Sequence, residues 1–451
     1  KNGNYDFGEI TLGASTMIIA GGTFSSEPAN EYIAKGYTKE SDNGKWNVVP
    51  DTSKTYVAQV GVNKYESLAD AISAVQEGNS IKMLKDVDNA AGISVNTGKT
   101  FTIDFDGHTY KVNKPGAGST GTETAAFQLI KGQTITFKNG TICADADNLQ
   151  EATAPAKNIL RFFQSYANVN FVDMTIDGTN INGNNSVIEF ANGNVSITGS
   201  TSITAKPGAK AINVDTWKID SYSGGAHVTI NTTGSIGDIY LYSEGNKTED
   251  FTKSTLNISG GIFGSVTGDE NKEYIASITD GTFSSDPTAY VAEGYIAREN
   301  NGKYVVSMVG TAENPYTLNE FNALTKLPAG RTELYVDIGD VSLADGDVTI
   351  GNKNICDVWT WDRDMSHNVG DILEDGRKVY MVRESDTIYS SNKAGITLYI
   401  SGSVKENPEG GLNQSDSHVI TFSIPDASNV VFTKDFTVNG YFRMHTGWSD
   451  G

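Results

Sequence analysis

Apolar and polar residues alternate along most of the chain, in short stretches that each end at Gly, Asn or Asp. Seven stretches share one phase, and their equivalent apolar positions are Ile103, Phe137, Phe171, Ile197, Ile230, Ile258 and Ile278. Strict alternation over five to eight residues predicts a strand with one buried face. Because the stretches recur at intervals of 20 to 34 residues with their turns in phase, we predict stacked coils rather than the hairpins of a sandwich.

Two short helices are predicted, each ahead of a new run of strands. Their apolar stripes are Leu68, Ala71, Ile72 and Val75 in the first, and Leu318, Phe321, Leu324 and Leu327 in the second. Ser67 with Asp70 forms a weak capping box, and Thr317 with Glu320 a better one. The open end of a coil stack exposes unpaired edges, so we expect each helix to cover a first coil.

One long segment occurs twice. GGTFSSEPANEYIAKGYTKESDNGKW occupies residues 21–46, and DGTFSSDPTAYVAEGYIARENNGKY occupies residues 280–304. Each copy follows a last alternating strand, precedes a predicted helix and contains Asn-Gly, which predicts a hairpin turn. We therefore interpret the segment as a closing cap. The chain would then contain the end of a preceding module (1–51), a complete module (52–309) and a further, truncated or divergent module (310–451).

The two segments, together with YESLADAISAVQEGNSIKMLKDV, resemble large repeat-built surface proteins of Gram-positive gut anaerobes. Those proteins are similar to the pectate-lyase-like superfamily. The resemblance implies an all-β fold of tandem right-handed parallel β-helices, each with a short N-terminal capping helix. It also implies a non-enzymatic bacterial adhesin or stalk, located outside the cell or attached to its wall. It covers residues 10–310 well and is weaker beyond them.

Composition restricts the kinds of molecule that this chain is expected to bind. The net charge of −21 argues against nucleic acid, which needs clustered Lys and Arg. No apolar run reaches the length of a membrane span, so no membrane insertion is expected in this segment.

Cys143 and Cys356 fall in different predicted modules, and no disulfide is expected. The chain starts at Lys1 and ends at WSDG, which suggests a piece of a longer protein. The expected partner is a host or environmental glycan or protein.

An enzyme is the alternative, since pectate-lyase-like proteins include polysaccharide lyases and hydrolases. The strings NTDG, DD, GHG and RIK of polygalacturonase-like members do not occur here. A lyase needs a base, often Arg, and the complete module has only Arg161 and Arg298. Arg161 is a candidate ligand-binding residue, although a solvated arginine beside core aromatics is the simpler interpretation. No catalytic residue is assigned.

Aromatic residues mark a candidate glycan or protein site. Trp359 and Trp361 lie two apart, on one face of a predicted strand, and Arg363 and His367 follow them. Tyr240 and Tyr242 form a smaller version of the same pattern. Core filling is the alternative interpretation of both pairs.

Acidic turns raise the question of structural Ca²⁺, and no other cofactor is expected. The candidates are Asp104 with Asp106, Asp340 with Asp345 and Asp347, and Asp362 with Asp364. None fits an EF-hand loop or the nonapeptide calcium repeat, so solvated turn carboxylates are the simpler interpretation. The five His residues lack zinc-site spacing.

Overall fold

The computed structural model describes residues 17–114, 116–118, 123–145, 161–181, 186–246, 248, 250–324, 328, 330–343, 348–351, 378–383, 387–391, 397–405, 420–422 and 429–439. The chain divides into two compact units. The first comprises Lys1–Val291 and Ala297–Val306, and the second comprises Ala292–Ile296 and Ser307–Gly451. The three-part division inferred from the sequence stays a prediction.

In its described residues, the first unit consists of strands and one α-helix, α1 (Leu68–Ala74). Its strands, up to the hairpin that ends it, are β1 (Gly22–Phe24), β2 (Tyr37–Asp42), β3 (Lys45–Pro50), β4 (Ala58–Val60), β5 (Asn63–Tyr65), β6 (Ser80–Met83), β7 (Val87–Ala91), β8 (Ile93–Val95), β9 (Thr100–Asp104), β10 (Thr109–Lys114), β11 (Ala125–Leu129), β12 (Thr134–Cys143), β13 (Arg161–Ser165), β14 (Asn168–Gly178), β15 (Ile188–Phe190), β16 (Gly193–Gly199), β17 (Ser202–Ala205), β18 (Ile212–Lys218), β19 (Ala226–Thr232), β20 (Ser235–Ile236), β21 (Ile239–Gly245), β22 (Ser254–Phe263), β23 (Val266–Gly268), β24 (Tyr274–Phe283), β25 (Tyr295–Asn300) and β26 (Lys303–Met308).

Most of these strands belong to two parallel sheets between which the chain alternates. The main sheet contains the run β24-β22-β19-β16-β14-β12-β9-β6, and the seven-stranded sheet has the order β23-β21-β18-β15-β13-β11-β8. From β11 to β24 the chain leaves one sheet, visits the other and returns beside its own previous strand. The fold is therefore all-β with parallel sheets, as the sequence predicted.

The predicted core register is confirmed. Each of the seven equivalent apolar residues pairs with the next across neighbouring parallel strands, from Ile103 with Phe137 to Ile258 with Ile278. All seven are at most 1 % exposed. The row exists because side chains of a strand alternate between faces, so parallel in-register strands place like residues above one another.

The long strands bend in the middle, so that the two halves of one strand pair with different neighbouring strands. The first half of β12 pairs with β9 and its second half with β10. Asn139 lies at the bend with φ of +57°, and Asp173 takes the same conformation in β14 with φ of +53°. Asn and Asp tolerate this left-handed conformation better than other non-glycine residues, which explains why they occupy the turn phase seen in the sequence.

Aromatic rings fill the space between the sheets. Phe127 stacks on Phe163 with ring centroids 5.1 Å apart, and Phe137 stacks on Phe171 at 5.6 Å. Phe137 also meets Phe163 edge-on at 5.1 Å, so one ring cluster joins the two sheets. All four side chains are fully buried. Edge and offset-stacked pairs of this kind add to the gain from burial.

Helix α1 follows the predicted stripe. Leu68, Ala71 and Ile72 are buried, and the Ser67 side chain accepts a hydrogen bond from the Asp70 N–H. The helix packs against β4, β5 and β6, at the end of the main sheet.

The two copies of the repeated segment fold alike. β1 pairs antiparallel with β3, and the end of β24 pairs antiparallel with β26, so that Gly22 opposite Val48 matches Gly281 opposite Val306. Asn-Gly turns with positive φ at both positions join β2 to β3 and β25 to β26. The predicted hairpin turns are confirmed, and positive φ at both central residues is the conformation that a two-residue type I′ turn requires and that Asn-Gly favours.

The second unit also contains parallel strands. Beyond helix α2 (Leu318–Ala323), its elements are β27 (Tyr316–Thr317), β28 (Glu333–Ser342), β29 (Val348–Ile350), β30 (Lys378–Arg383), β31 (Thr387–Ser391), β32 (Thr397–Lys405), β33 (Ile420–Phe422) and β34 (Asn429–Asn439). β27, β28, β32 and β34 form one parallel sheet, β29 pairs parallel with β33, and β30 pairs antiparallel with β31.

Helix α2 has the full capping box predicted between Thr317 and Glu320, but it is shorter than expected. Leu324 is already the C-cap, with ψ of 133°, so the stripe does not continue as a helix, and Leu327 lies outside the described residues. Neither helix in the described part of the chain has the length and apolar character needed to cross a bilayer.

Candidate functional site

The candidate site lies on the outer face of the seven-stranded sheet in the first unit. There, register places one polar row across successive strands: Ser94, Gln128, Gln164, Glu189, Asn213, Tyr240 and Thr267. Gln128 Nε2 donates to Gln164 Oε1 at 3.3 Å, so amides bridge neighbouring strands within the row. Glu189 interrupts these neutral side chains with a charge.

Arg161 reaches Glu189 from the neighbouring strand β13. Its Nη1 donates to Glu189 Oε2, and only 19 % of the arginine side chain and 9 % of the glutamate side chain are exposed. Burial raises the pKa of Glu189, and Arg161 opposes that effect. The simpler sequence interpretation of Arg161 as a solvated arginine is therefore wrong, because its charge is paired inside the surface.

Asp215, on β18, is the most unusual group. It has no exposed surface, and within the described part of the chain neither carboxylate oxygen has a hydrogen-bond partner. Its backbone is fixed, since Ser254 Oγ donates to the Asp215 carbonyl at 2.7 Å. Burial, and then the negative charges of Glu244 and Glu189, raise the pKa of Asp215 to about 9. Removal from water disfavours the charged form of an acid, and nearby like charges add to this.

Three carboxylates meet at this point. One oxygen each from Glu189, Asp215 and Glu244 lies within 4.8 Å of the others; we call these residues the acidic cluster. Glu189 and Asp215 are buried, whereas Glu244 is exposed. The cluster therefore opens to solvent on the side of Glu244, near the end of β21.

Two of the predicted tyrosines border the cluster. Tyr242 pairs with Asp215 in the β18–β21 register and stacks on Tyr240, with ring centroids 5.6 Å apart and planes 13° from parallel. Burial raises the pKa of Tyr242, and the negative charges of Glu189 and Asp215 raise it further. The structure thus brings Arg161, Tyr240 and Tyr242 together around acids that the sequence analysis did not identify.

A group of three rings lies beside the cluster; we call Tyr166, Trp217 and Tyr222 the aromatic shelf. Trp217 stacks on Tyr222 at 4.9 Å with planes 7° apart, and Tyr166 lies 4.5 Å from Tyr222. Trp217 and Tyr222 are half-buried, whereas Tyr166 is buried. Trp217 pairs with Glu244 in the β18–β21 register, so the shelf and the open side of the cluster are adjacent.

Of the remaining candidate residues, the structure describes only some. Trp359, Trp361, Arg363 and His367, and also Asp345, Asp347, Asp362 and Asp364, lie outside the described residues. Asp340 accepts a hydrogen bond from Ser403 Oγ. Asp104 and Asp106 form ion pairs with Lys138 and Lys82, at 3.1 Å and 2.8 Å.

The sequence contains one signal for Glu189 and Asp215, although neither was predicted as a site residue. Glu189 stands in the apolar string VIEF and Asp215 in INVDTW, where a single acid among core residues needs a partner or a function. The comparisons add no further assignment: no family model, no curated protein and no solved structure matches this chain.

Proposed function

We propose that this chain is a non-enzymatic segment of a bacterial surface protein, in which a β-helical rod presents a glycan-binding patch away from the cell. The observation that carries the proposal is the aromatic shelf, which lies beside a polar row on one continuous parallel sheet. The proposed partner is a glycan of the host or the environment, and the proposed location is extracellular or wall-attached.

The rod is a right-handed parallel β-helix in this proposal. Support comes from the alternation of the chain between two parallel sheets and from the in-register apolar row of seven residues. Each coil would add about 4.8 Å along the axis. A stack of this kind is stiff, because the strands of an inner coil pair with strands of the coils above and below.

The shelf has the chemistry that a sugar ring requires. Trp217 and Tyr222 stack on each other and are both partly exposed, so the solvent-facing part of this stack can contact the apolar face of a pyranose. The polar row, for example the partly exposed Gln164, supplies amide groups for hydroxyl groups nearby. Lys131 Nζ, 6.0 Å from the Tyr222 ring centroid, adds a cation at the edge.

A lyase or hydrolase has less support. Asp215 is the acid with the raised pKa that a proton donor needs, yet it has no exposed surface. A sugar on the shelf would not contact it, and a general acid must come within hydrogen-bond reach of the proton's destination.

A glycan array of neutral and acidic polysaccharides tests the proposal. For any glycan that binds, Trp217→Ala/Tyr222→Ala should weaken affinity at least about tenfold, since two ring contacts are removed. The matched control is Tyr335→Ala/Tyr399→Ala, a stacked pair at 4.5 Å in the second unit, which should leave binding unchanged. Loss of binding in the control variant instead would place the site at Tyr335 and Tyr399. No binding to any glycan on the array would reject glycan binding.

A further inference from the structure

We propose that Glu189, Asp215 and Glu244 bind a divalent cation of the calcium type. This site is separate from the ring faces of the aromatic shelf, and the proposal holds whether or not a glycan binds there. It rests on the spacing of the oxygens, the unpartnered Asp215, the charge balance and the access to the cluster.

The spacing of the oxygens fits one ion. Ca²⁺ is bound by oxygens at about 2.3–2.6 Å, so two ligands on opposite sides of one ion lie about 4.6–5.2 Å apart. The three carboxylate oxygens of the acidic cluster lie within 4.8 Å of one another. A point central to three oxygens with that spacing lies at most about 2.8 Å from each of them, so small side-chain adjustments bring all three to the Ca²⁺ distance.

Asp215 lacks the partners that a buried carboxylate requires. Both of its oxygens are buried and have no hydrogen-bond partner among the described residues, although buried polar groups in proteins are almost always satisfied. The two side chains whose charges act most strongly on it, Glu244 and Glu189, are carboxylates, which cannot donate a hydrogen bond when ionised. A cation would supply the attractive interaction with the Asp215 carboxylate that Glu189 and Glu244 cannot provide.

The charge of the fully ionised cluster matches a divalent ion. The acidic cluster carries three negative charges when ionised, and Arg161, paired with Glu189, contributes one positive charge. Lys218, which follows the shelf residue Trp217 on β18, is engaged 2.7 Å away by Glu273. Two negative charges remain, which one divalent cation neutralises.

Donor type and access favour calcium. The cluster offers only carboxylate oxygens, the ligands of hard cations, and contains no imidazole or thiolate that would select zinc or copper. The three carboxylates come from separate strands, a spacing that suits the flexible coordination of Ca²⁺ better than the strict octahedron of Mg²⁺. An ion and its waters can enter past the exposed Glu244, whereas a sugar ring cannot reach Asp215.

Thermal unfolding of the chelator-treated chain, with and without 100-fold excess of CaCl₂ over its Kd, tests the site. We expect Ca²⁺ to raise the Tm of the first unit's transition by at least about 4 °C, with a smaller rise for MgCl₂. Tb³⁺ provides a second readout, because an ion in the cluster lies beside Tyr242 and Trp217 and should show luminescence sensitised by their excitation.

Two variants locate the effect. Asp215→Asn and the exposed Glu244→Gln should each lose most of the Ca²⁺-dependent shift and the Tb³⁺ signal, while Glu270→Gln, an exposed turn acid, should keep both. An absent shift in the unmodified chain, or an equal shift in Asp215→Asn and Glu244→Gln, would overturn the site. Neither result would affect glycan binding measured on the array, so the two proposals fail separately.

Discussion

At the scale of single residues, Asp215 lies in surroundings that disfavour the charged form of its carboxyl group. Its carboxyl is buried between the carboxyls of Glu189 and Glu244, with Arg161 and Tyr242 as the other ionisable groups around it. Without a cation, the folded chain keeps a proton on Asp215 up to about pH 9. The unfolded chain releases that proton near the ordinary value of 3.8.

This difference fixes the sign of a pH effect in metal-free protein. Between pH 4 and 9 unfolding releases a proton, so the free energy of unfolding contributed by Asp215 falls as the pH rises through that window. In EDTA, Asp215→Asn should therefore be more stable than the unmodified chain by about 2–4 kcal/mol at pH 8 and nearly equal to it at pH 4. Urea denaturation at the two pH values measures this. A stability gap of the same size at both values would contradict the raised pKa.

At the scale of elements, the inward row of the main sheet specifies the register. Ile197 is fully buried, while its neighbour Ser196 on β16 is only partly buried and lies in the outward row opposite Asn170 and Thr229. A shift of one residue would exchange these two environments.

Two adjacent substitutions test this register. Ile197→Ala should cost about 2–5 kcal/mol, because it leaves a cavity in the packed row, whereas Ser196→Ala should stay within about 0.5 kcal/mol. Chemical denaturation of the two variants gives both values. The reverse ranking would show that β16 is paired one residue out of register.

The same elements explain what the sequence could predict. The main-sheet strands alternate over several residues between turn-forming Asn, Asp and Gly, so their inward positions were identified individually. Helix α1 was found because its cap and stripe are local. In contrast, β15 has three residues, Ile188–Phe190, all buried, and without alternation its register and the outward direction of Glu189 were not predictable. The approach of Glu189, Asp215 and Glu244 depends on pairing between strands far apart in sequence, which no local pattern encodes.

At the scale of the first unit, the end of the main sheet needs protection. Hairpin β25–β26 covers the last part of β24 by antiparallel pairing of Gly281–Phe283 with Tyr304–Val306. Val306 is fully buried there, as its counterpart Val48 nearly is in the first copy. An uncovered parallel edge would be free to pair with another molecule.

Val306→Asp should therefore detach the hairpin and cause association, since it places a charge in the buried side of β26. Val305→Asp is the matched control, because Val305 is 36 % exposed on the same strand. Size-exclusion chromatography with light scattering should show oligomers or aggregates for the first variant and a profile like that of the unmodified chain for the second. Monomeric behaviour of Val306→Asp would argue against a capping role.

The duplicated hairpin also decides where the chain can be cut. The pairing of β24 with β26 lies entirely between Gly281 and Val306, and the pairing of β1 with β3 ends at Val48. A fragment that ends directly after β26 would therefore keep the partner of its last parallel strand. A fragment that ends at Phe283 would leave the backbone groups of that strand end unpaired.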